Sequence, residues 1–255
     1  MNSWTRAAGL AGAALALVAV GSAPAAAQSS TSIGLIDDLN LKLLYIAVPL
    51  TLLVEIVLVY TVVRFKDADE AVPTRENRRL EITWTVATAV ILLFVGVASY
   101  GVLASPDVTH QQSSAVAPDE GDVHVYAEAY QWGWDMTYPD EGVQASGFPP
   151  NVVVPKGQDL YVTISSRDVI HGFAVPELGL KQDAIPQQNN TIKTTPLEEG
   201  TYQGYCTEYC GVSHSQMYFT VEVVSQDEYR DYLVEQRGGS APASGNASSV
   251  TAAAA

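Results

Sequence analysis

Basic residues are scarce in this chain of 255 residues: 13 lysines and arginines stand against 28 aspartates and glutamates, a formal charge of -15. A nucleic-acid binder needs a cationic footprint to displace counterions from phosphates, so no nucleic acid is expected among the partners. The acidic balance suits either a basic partner or a medium of high salt, in which an acidic, lysine-poor surface stays hydrated. There are only four histidines and two cysteines. Charged residues make up 16% of the chain and hydrophobic ones 47%. That much apolar material cannot be mixed evenly with so many acids, so the chain divides into a membrane part and a water-facing part.

Segregation is visible along the chain. Arg6 precedes an apolar run over 7–20, then small residues including Ala25 and Ala27 before Gln28. The run is too short to cross about 30 Å of hydrocarbon at about 1.5 Å per helical residue, which reads as a signal peptide over 1–27. A hairpin of two membrane helices is expected within 28–105, with spans over 41–63 and 82–104. Pro49 and Glu55 inside the first span should face a partner helix: Glu55 would cost about 2.5 to 3.5 kcal/mol at mid-bilayer. The loop between the spans holds Arg64, Lys66, Arg75, Arg78 and Arg79, more than a third of the basic residues. Positive charge marks the cytoplasmic side, which puts both the N-terminus and the C-terminal domain outside, in the plasma membrane of a prokaryote.

A linker rich in Ser, Ala, Pro and Gln occupies 106–120. Runs of β-branched and aromatic residues, punctuated by Pro and Gly, then predict strands over 123–129, 151–154, 159–165, 190–195, 200–205 and 217–224, the pattern of a small all-β sandwich or barrel. A helix over 226–237 is followed by a Gly, Ser and Ala-rich tail over 238–255 that lacks the apolar content to pack. Asn189 and Asn246 open glycosylation triplets of a kind that arises readily by chance.

Both cysteines fall in one stretch, Cys206-Thr-Glu-Tyr-Cys210-Gly-Val-Ser-His214-Ser-Gln-Met217. Thiolate, imidazole and thioether together suit copper; magnesium and calcium prefer oxygen, and zinc has no use for the thioether. A further donor must come from elsewhere, and His171, in an apparent turn between strands, is the natural choice. In an exported chain two cysteines otherwise suggest a disulfide, but a plain clamp would not require His214, Met217 and His171 beside it. A single blue-copper centre would leave one cysteine surplus.

These motifs resemble subunit II of the haem-copper cytochrome c oxidases: C-x-E-x-C-G-x-x-H-x-x-M from Cys206, D-V-I-H-G-F-A-V-P from Asp168, Y-Q-W-G-W over 130–134 and L-E-I-T-W-T over 80–85. The likeness covers roughly 35–230. It implies a cupredoxin-like Greek-key sandwich over 121–237, after the two-helix hairpin, that carries a dinuclear copper A centre. Both thiolates would bridge both metals, with His171 and Met217 completing one shell and His214 with the carbonyl of Glu208 the other. The resemblance further implies a magnesium ion reached by Glu208, electron uptake at Trp132 and a proton-path entrance at Glu81; Trp134 is expected to be structural. Alternation places Trp132 and Trp134 on one face if the segment is a strand. Thr88 stands where that family often has proline.

The implied activity is electron transfer in a terminal oxidase. Electrons would come from an external cytochrome c or small blue-copper protein, steered by acids such as Asp168, and pass to haem in subunit I, where oxygen is reduced to water. Nitrous oxide reductase shares the copper loop but needs a large extra domain, and the quinol oxidases lose the copper ligands. From other classes come a membrane-anchored β-sandwich binding module with a disulfide between Cys206 and Cys210, and a copper-delivery protein.

Overall fold

The structure is a computed structural model that describes residues 28–68, 70, 73, 75–108, 111–112 and 118–239. The signal peptide, much of the linker and nearly all of the tail expected from the sequence lie outside the described residues. Two long apolar helices come first, α1 over Thr31–Phe65 and α2 over Arg78–Leu103, and each is apolar enough to cross a membrane. Beyond the first two turns of α1 their side chains are mostly exposed within the chain, as those of helices that meet lipid or another subunit must be. Pro49 and Glu55 are among these exposed residues.

α1 starts ten residues before the predicted span at 41, because Ser30 caps it: the Ser30 hydroxyl accepts the Ile33 N–H at 3.2 Å. The added turns dock on the sandwich. Ser30 Oγ donates to the Leu178 carbonyl at 2.8 Å, and Ser32 Oγ lies 2.7 Å from both Thr194 Oγ1 and the Asp107 carbonyl. Backbone bonds from Thr31 N to Thr195 O and from Leu197 N to Ser29 O stitch the same seam. Ser30 and Ser32 are fully buried, and every hydroxyl there has a partner.

Eleven strands follow: β1 (Gln111–Gln112), β2 (Val123–Tyr130), β3 (Gly133–Tyr138), β4 (Val143–Gln144), β5 (Asn151–Pro155), β6 (Leu160–Ser166), β7 (His171–Val175), β8 (Leu180–Ala184), β9 (Asn190–Thr194), β10 (Gly200–Cys206) and β11 (Tyr218–Val224). They form two sheets, ordered β1-β9-β6-β2-β3-β4 and β5-β11-β10-β7-β8. β2 pairs parallel to β6, and β11 parallel to β5, while the other named pairs are antiparallel. The strict alternation of burial along β2 turns Val123, Val125, Ala127 and Ala129 inward and leaves His124, Tyr126 and Glu128 outward. Between the sheets lie Val125, Val154, Ile164, Val175, Phe219 and Val223, each at most 2% exposed. Each such residue contributes about 1.5–3 kcal/mol by leaving water. A closing helix, α3 (Gln226–Gly239), buries Tyr229 and Leu233 against this core.

Five of these strands, β1, β3, β4, β7 and β8, are additions to the sequence reading. His171 is the first residue of β7, not a turn residue, and its backbone is held opposite Ala184 of β8. Trp132 and Trp134 do not share one strand face. The chain reverses at 131–132 between β2 and β3, so Trp132 sits in the turn and half-emerges, while Trp134 points into the core at 2% exposure.

Candidate metal centre

Three segments meet at one end of the sandwich: the β2–β3 turn, the 167–170 loop that feeds β7, and the β10–β11 loop over 207–217. Antiparallel pairing of β10 with β7 aligns Cys206 opposite Phe173. The β10 strand thereby delivers the first cysteine beside His171, whose Nδ1 lies 3.9 Å from Cys206 Sγ. After Cys206 the chain folds back on itself. Its thiol reaches the carbonyl of Glu208 at 3.2 Å, and the Cys206 N–H bonds the Met217 carbonyl at 3.1 Å, closing the loop at its base. Cys210 is thus carried inward, with its Sγ 3.7 Å from His214 Nδ1 and 3.3 Å from Met217 Sδ.

His171, Cys206 and Cys210 are all buried, and their donor atoms lie within 4.8 Å of one another. Both cysteines are free thiols, so the disulfide expected of a binding module is not formed. Burial opposes ionisation at both sulfurs, yet they diverge. At Cys206 the His171 imidazole and the Gly172 and Glu208 backbone outweigh burial and bring the thiol to about 6. At Cys210 burial and then the neighbouring Cys206 charge push it up to about 12. Two sulfurs crowded this closely resist carrying two negative charges unless a cation joins them. The donor set of two thiols, two imidazoles, a thioether and a carbonyl oxygen is soft, and it fits a copper-type metal.

The surroundings hold these groups in place. Trp134 packs its ring against His171, Phe173 and Phe219, at centroid distances of 6.4, 5.7 and 5.4 Å, and Phe173 stacks on Phe219 at 4.7 Å. Gly204 faces this cluster, and a Cβ there would fall inside the van der Waals envelope of the Phe219 ring. Gly204→Ala is therefore expected to lower unfolding stability by about 1–3 kcal/mol, the usual cost of overpacking, read as a fall in the melting temperature of the detergent-solubilised chain. Gly211 follows Cys210 at φ +126, where only glycine is comfortable, and a Cβ on it would lie 3.0 Å from the Trp132 ring.

Trp132, 36% exposed, donates its indole N–H to the Cys210 carbonyl at 3.2 Å, and Gln131 Nε2 donates to the same oxygen at 2.6 Å. Sequence reasoning singled out Trp132 but not Gln131, whose part depends on the turn geometry. Asp168, read from sequence as a steering charge, is in contact with His171: its Oδ1 lies 2.9 Å from Nε2. Burial works against its carboxylate, but bonds from His171, Val169 and Gln131 prevail and hold it below its ordinary range. Glu81 is not part of this assembly. It stands in the first turn of α2, about 33 Å along the helix from Leu103 at 1.5 Å per residue. The Glu208 carboxylate is exposed and lies outside the metal-competent group found among the described residues, and nothing among them supports the magnesium expected there.

Residues 143–224 match the family model for the periplasmic domain of cytochrome c oxidase subunit II, and residues 22–102 match that for its transmembrane domain. Over 253 residues the chain is 33% identical to cytochrome c oxidase subunit 2 of Cereibacter sphaeroides, covering 85% of this chain and 80% of that protein. The chain belongs to the cytochrome c oxidase subunit II family. A second member, the probable cytochrome c oxidase subunit 2 of Rickettsia bellii, is 30% identical over 214 residues, 76% of each chain. Among solved structures, the periplasmic domain of subunit II of cytochrome oxidase of Bradyrhizobium japonicum is similar at 29% identity, covering 49% of this chain and all of that one, with a TM-score of 0.45. As a subunit II, the chain is an electron-transfer component of an oxidoreductase complex, anchored in the membrane, with a copper A domain after its two helices.

Proposed function

We propose that the sandwich over 121–237 holds two copper ions between Cys206 and Cys210, with His171, His214, Met217 and the Glu208 carbonyl as the remaining donors. The observation that carries this reading is the convergence of two free, buried thiols with two imidazoles and a thioether at the end of one sandwich. When bound, the metal pair supplies a one-electron couple whose charge is spread over two centres. The residues of the chain do the rest. Cys206 and Cys210 lie on a loop closed at its base by the Cys206 N–H to Met217 carbonyl bond and drawn in by the Cys206 thiol on the Glu208 carbonyl, so their separation is set before any metal arrives. His171 is fixed from behind by Asp168, as metal-binding imidazoles usually are. The aromatic layer of Trp134, Phe173 and Phe219 keeps water from that side.

Trp132 is the proposed point of electron uptake, since its oxidisable ring is partly exposed and its indole N–H bonds the carbonyl of a cysteine of the metal loop. Its donor is an external cytochrome c or small copper protein, and the recipient is haem in subunit I, where oxygen is reduced. The five basic residues over 64–79 support an orientation with the interhelical loop in the cytoplasm and the sandwich on the external face of a prokaryotic plasma membrane. Glu81 then stands at the inner end of α2, where a proton path into subunit I would begin. The signal peptide over 1–27 and the hairpin over 28–105 complete this topology.

The test is metal analysis and electron spin resonance of the intact complex. Two coppers per chain, with one unpaired spin shared equally by both nuclei, is the expected result. One copper per chain, or none, would overturn the dinuclear reading.

A further inference from the structure

One carboxylate touches two parts of the centre. Asp168 Oδ1 takes the Val169 N–H at 2.7 Å and lies 2.9 Å from His171 Nε2, while Oδ2 takes the Gln131 N–H at 2.7 Å. Gln131 and Trp132 then bond through their side chains to the Cys210 carbonyl. A continuous set of contacts therefore runs from His171 through Asp168 to the β2–β3 turn, and from that turn to Cys210. Asp168 is itself held, its N–H donating to Ser166 Oγ at 3.2 Å. The adjacent Arg167 does not compete for it, being bound by Glu128 and Asp135.

We propose that Asp168 is a positioning residue that fixes the ring of His171 and the turn carrying Trp132 together, so that ligand geometry and electron uptake are set by one side chain. An ionised carboxylate accepts on both oxygens and donates on neither, which is what three converging N–H groups require. With Nε2 engaged by Asp168, His171 presents Nδ1 towards Cys206 in a fixed plane. An amide of the same shape has one accepting oxygen and one donating nitrogen. Asp168→Asn can therefore keep the His171 side or the Gln131 side, but not both. This role is separate from steering a positively charged donor, which acts at long range and fades with salt.

The test uses Asp168→Asn in the assembled complex at high ionic strength, where steering is screened. Two readouts are taken: hydrogen exchange of the segment containing the Gln131 amide, in metal-loaded and metal-free chains, and the nitrogen hyperfine coupling of the copper-bound imidazole. Exchange about tenfold faster at Gln131, or a changed imidazole coupling, is the expected result. If both readouts stay at wild-type values and only the donor KM rises, and rises only at low salt, Asp168 is a steering charge and the proposal fails. The hyperfine readout rests on the copper reading, whereas exchange in the metal-free chain does not, so failure of one can be told from failure of the other. Should the asparagine chain not accumulate, Asp168→Glu keeps the charge but, being one methylene longer, cannot hold both contacts: faster exchange at Gln131 there supports the proposal, and exchange at the wild-type rate overturns it.

Discussion

Cys206→Ser is expected to abolish copper retention by this chain and to lower donor-driven oxygen consumption of the complex by more than about a hundredfold, beyond the range that loss of an outer partner of a metal ligand costs. Serine keeps the shape of the side chain but not the soft, readily ionised sulfur, and it is this sulfur that lies between His171 Nδ1 and the Glu208 carbonyl. Folding should survive, because the loop is closed by the Cys206 N–H to Met217 carbonyl bond, which serine also makes. Copper analysis by mass spectrometry with an oxygen electrode checks both quantities. A serine chain that keeps its full copper and activity would remove Cys206 from the ligand set.

Trp132→Phe separates electron uptake from metal binding. Phenylalanine keeps an aromatic ring in the turn but loses the indole edge that lies against Gly211 and the N–H that bonds the Cys210 carbonyl, and it is much harder to oxidise. Turnover with a soluble one-electron donor should fall by about 10- to 100-fold, while copper content and the absorption spectrum remain those of wild type. The fall should appear in kcat at saturating donor. An unchanged kcat would make Trp132 a packing residue of the loop.

The metal loop was legible in the sequence because its chemistry is local: both thiols, His214 and Met217 lie within twelve residues. Strands built from β-branched runs, such as Val152-Val153-Val154 of β5, were equally plain. β8 was not, since Leu180-Lys-Gln-Asp-Ala184 is polar at its centre and gains its place by pairing with β7. The start of α1 was hidden by Asp37, Asp38 and Asn40, which end the apolar run although the helix continues through them. Asp168 was read as a surface charge for a similar reason. Its work depends on the β2–β3 reversal bringing Gln131 to it, and pattern along one strand cannot show what a turn brings from another.

The seam at Ser29–Ser32 bears on how this protein is handled. Ser30 forms a bridge with Pro196, and Ser32 satisfies the Thr194 hydroxyl, so these residues are structurally part of the sandwich wall although Ser30 caps the first apolar helix and Ser32 lies in its first turn. Severing the chain in the linker to obtain a soluble fragment would strip that wall and bare hydroxyls and carbonyls now shielded from water. It would also release the tether that fixes the orientation of the sandwich, and with it of the Cys206–Met217 loop, relative to the start of the first apolar helix.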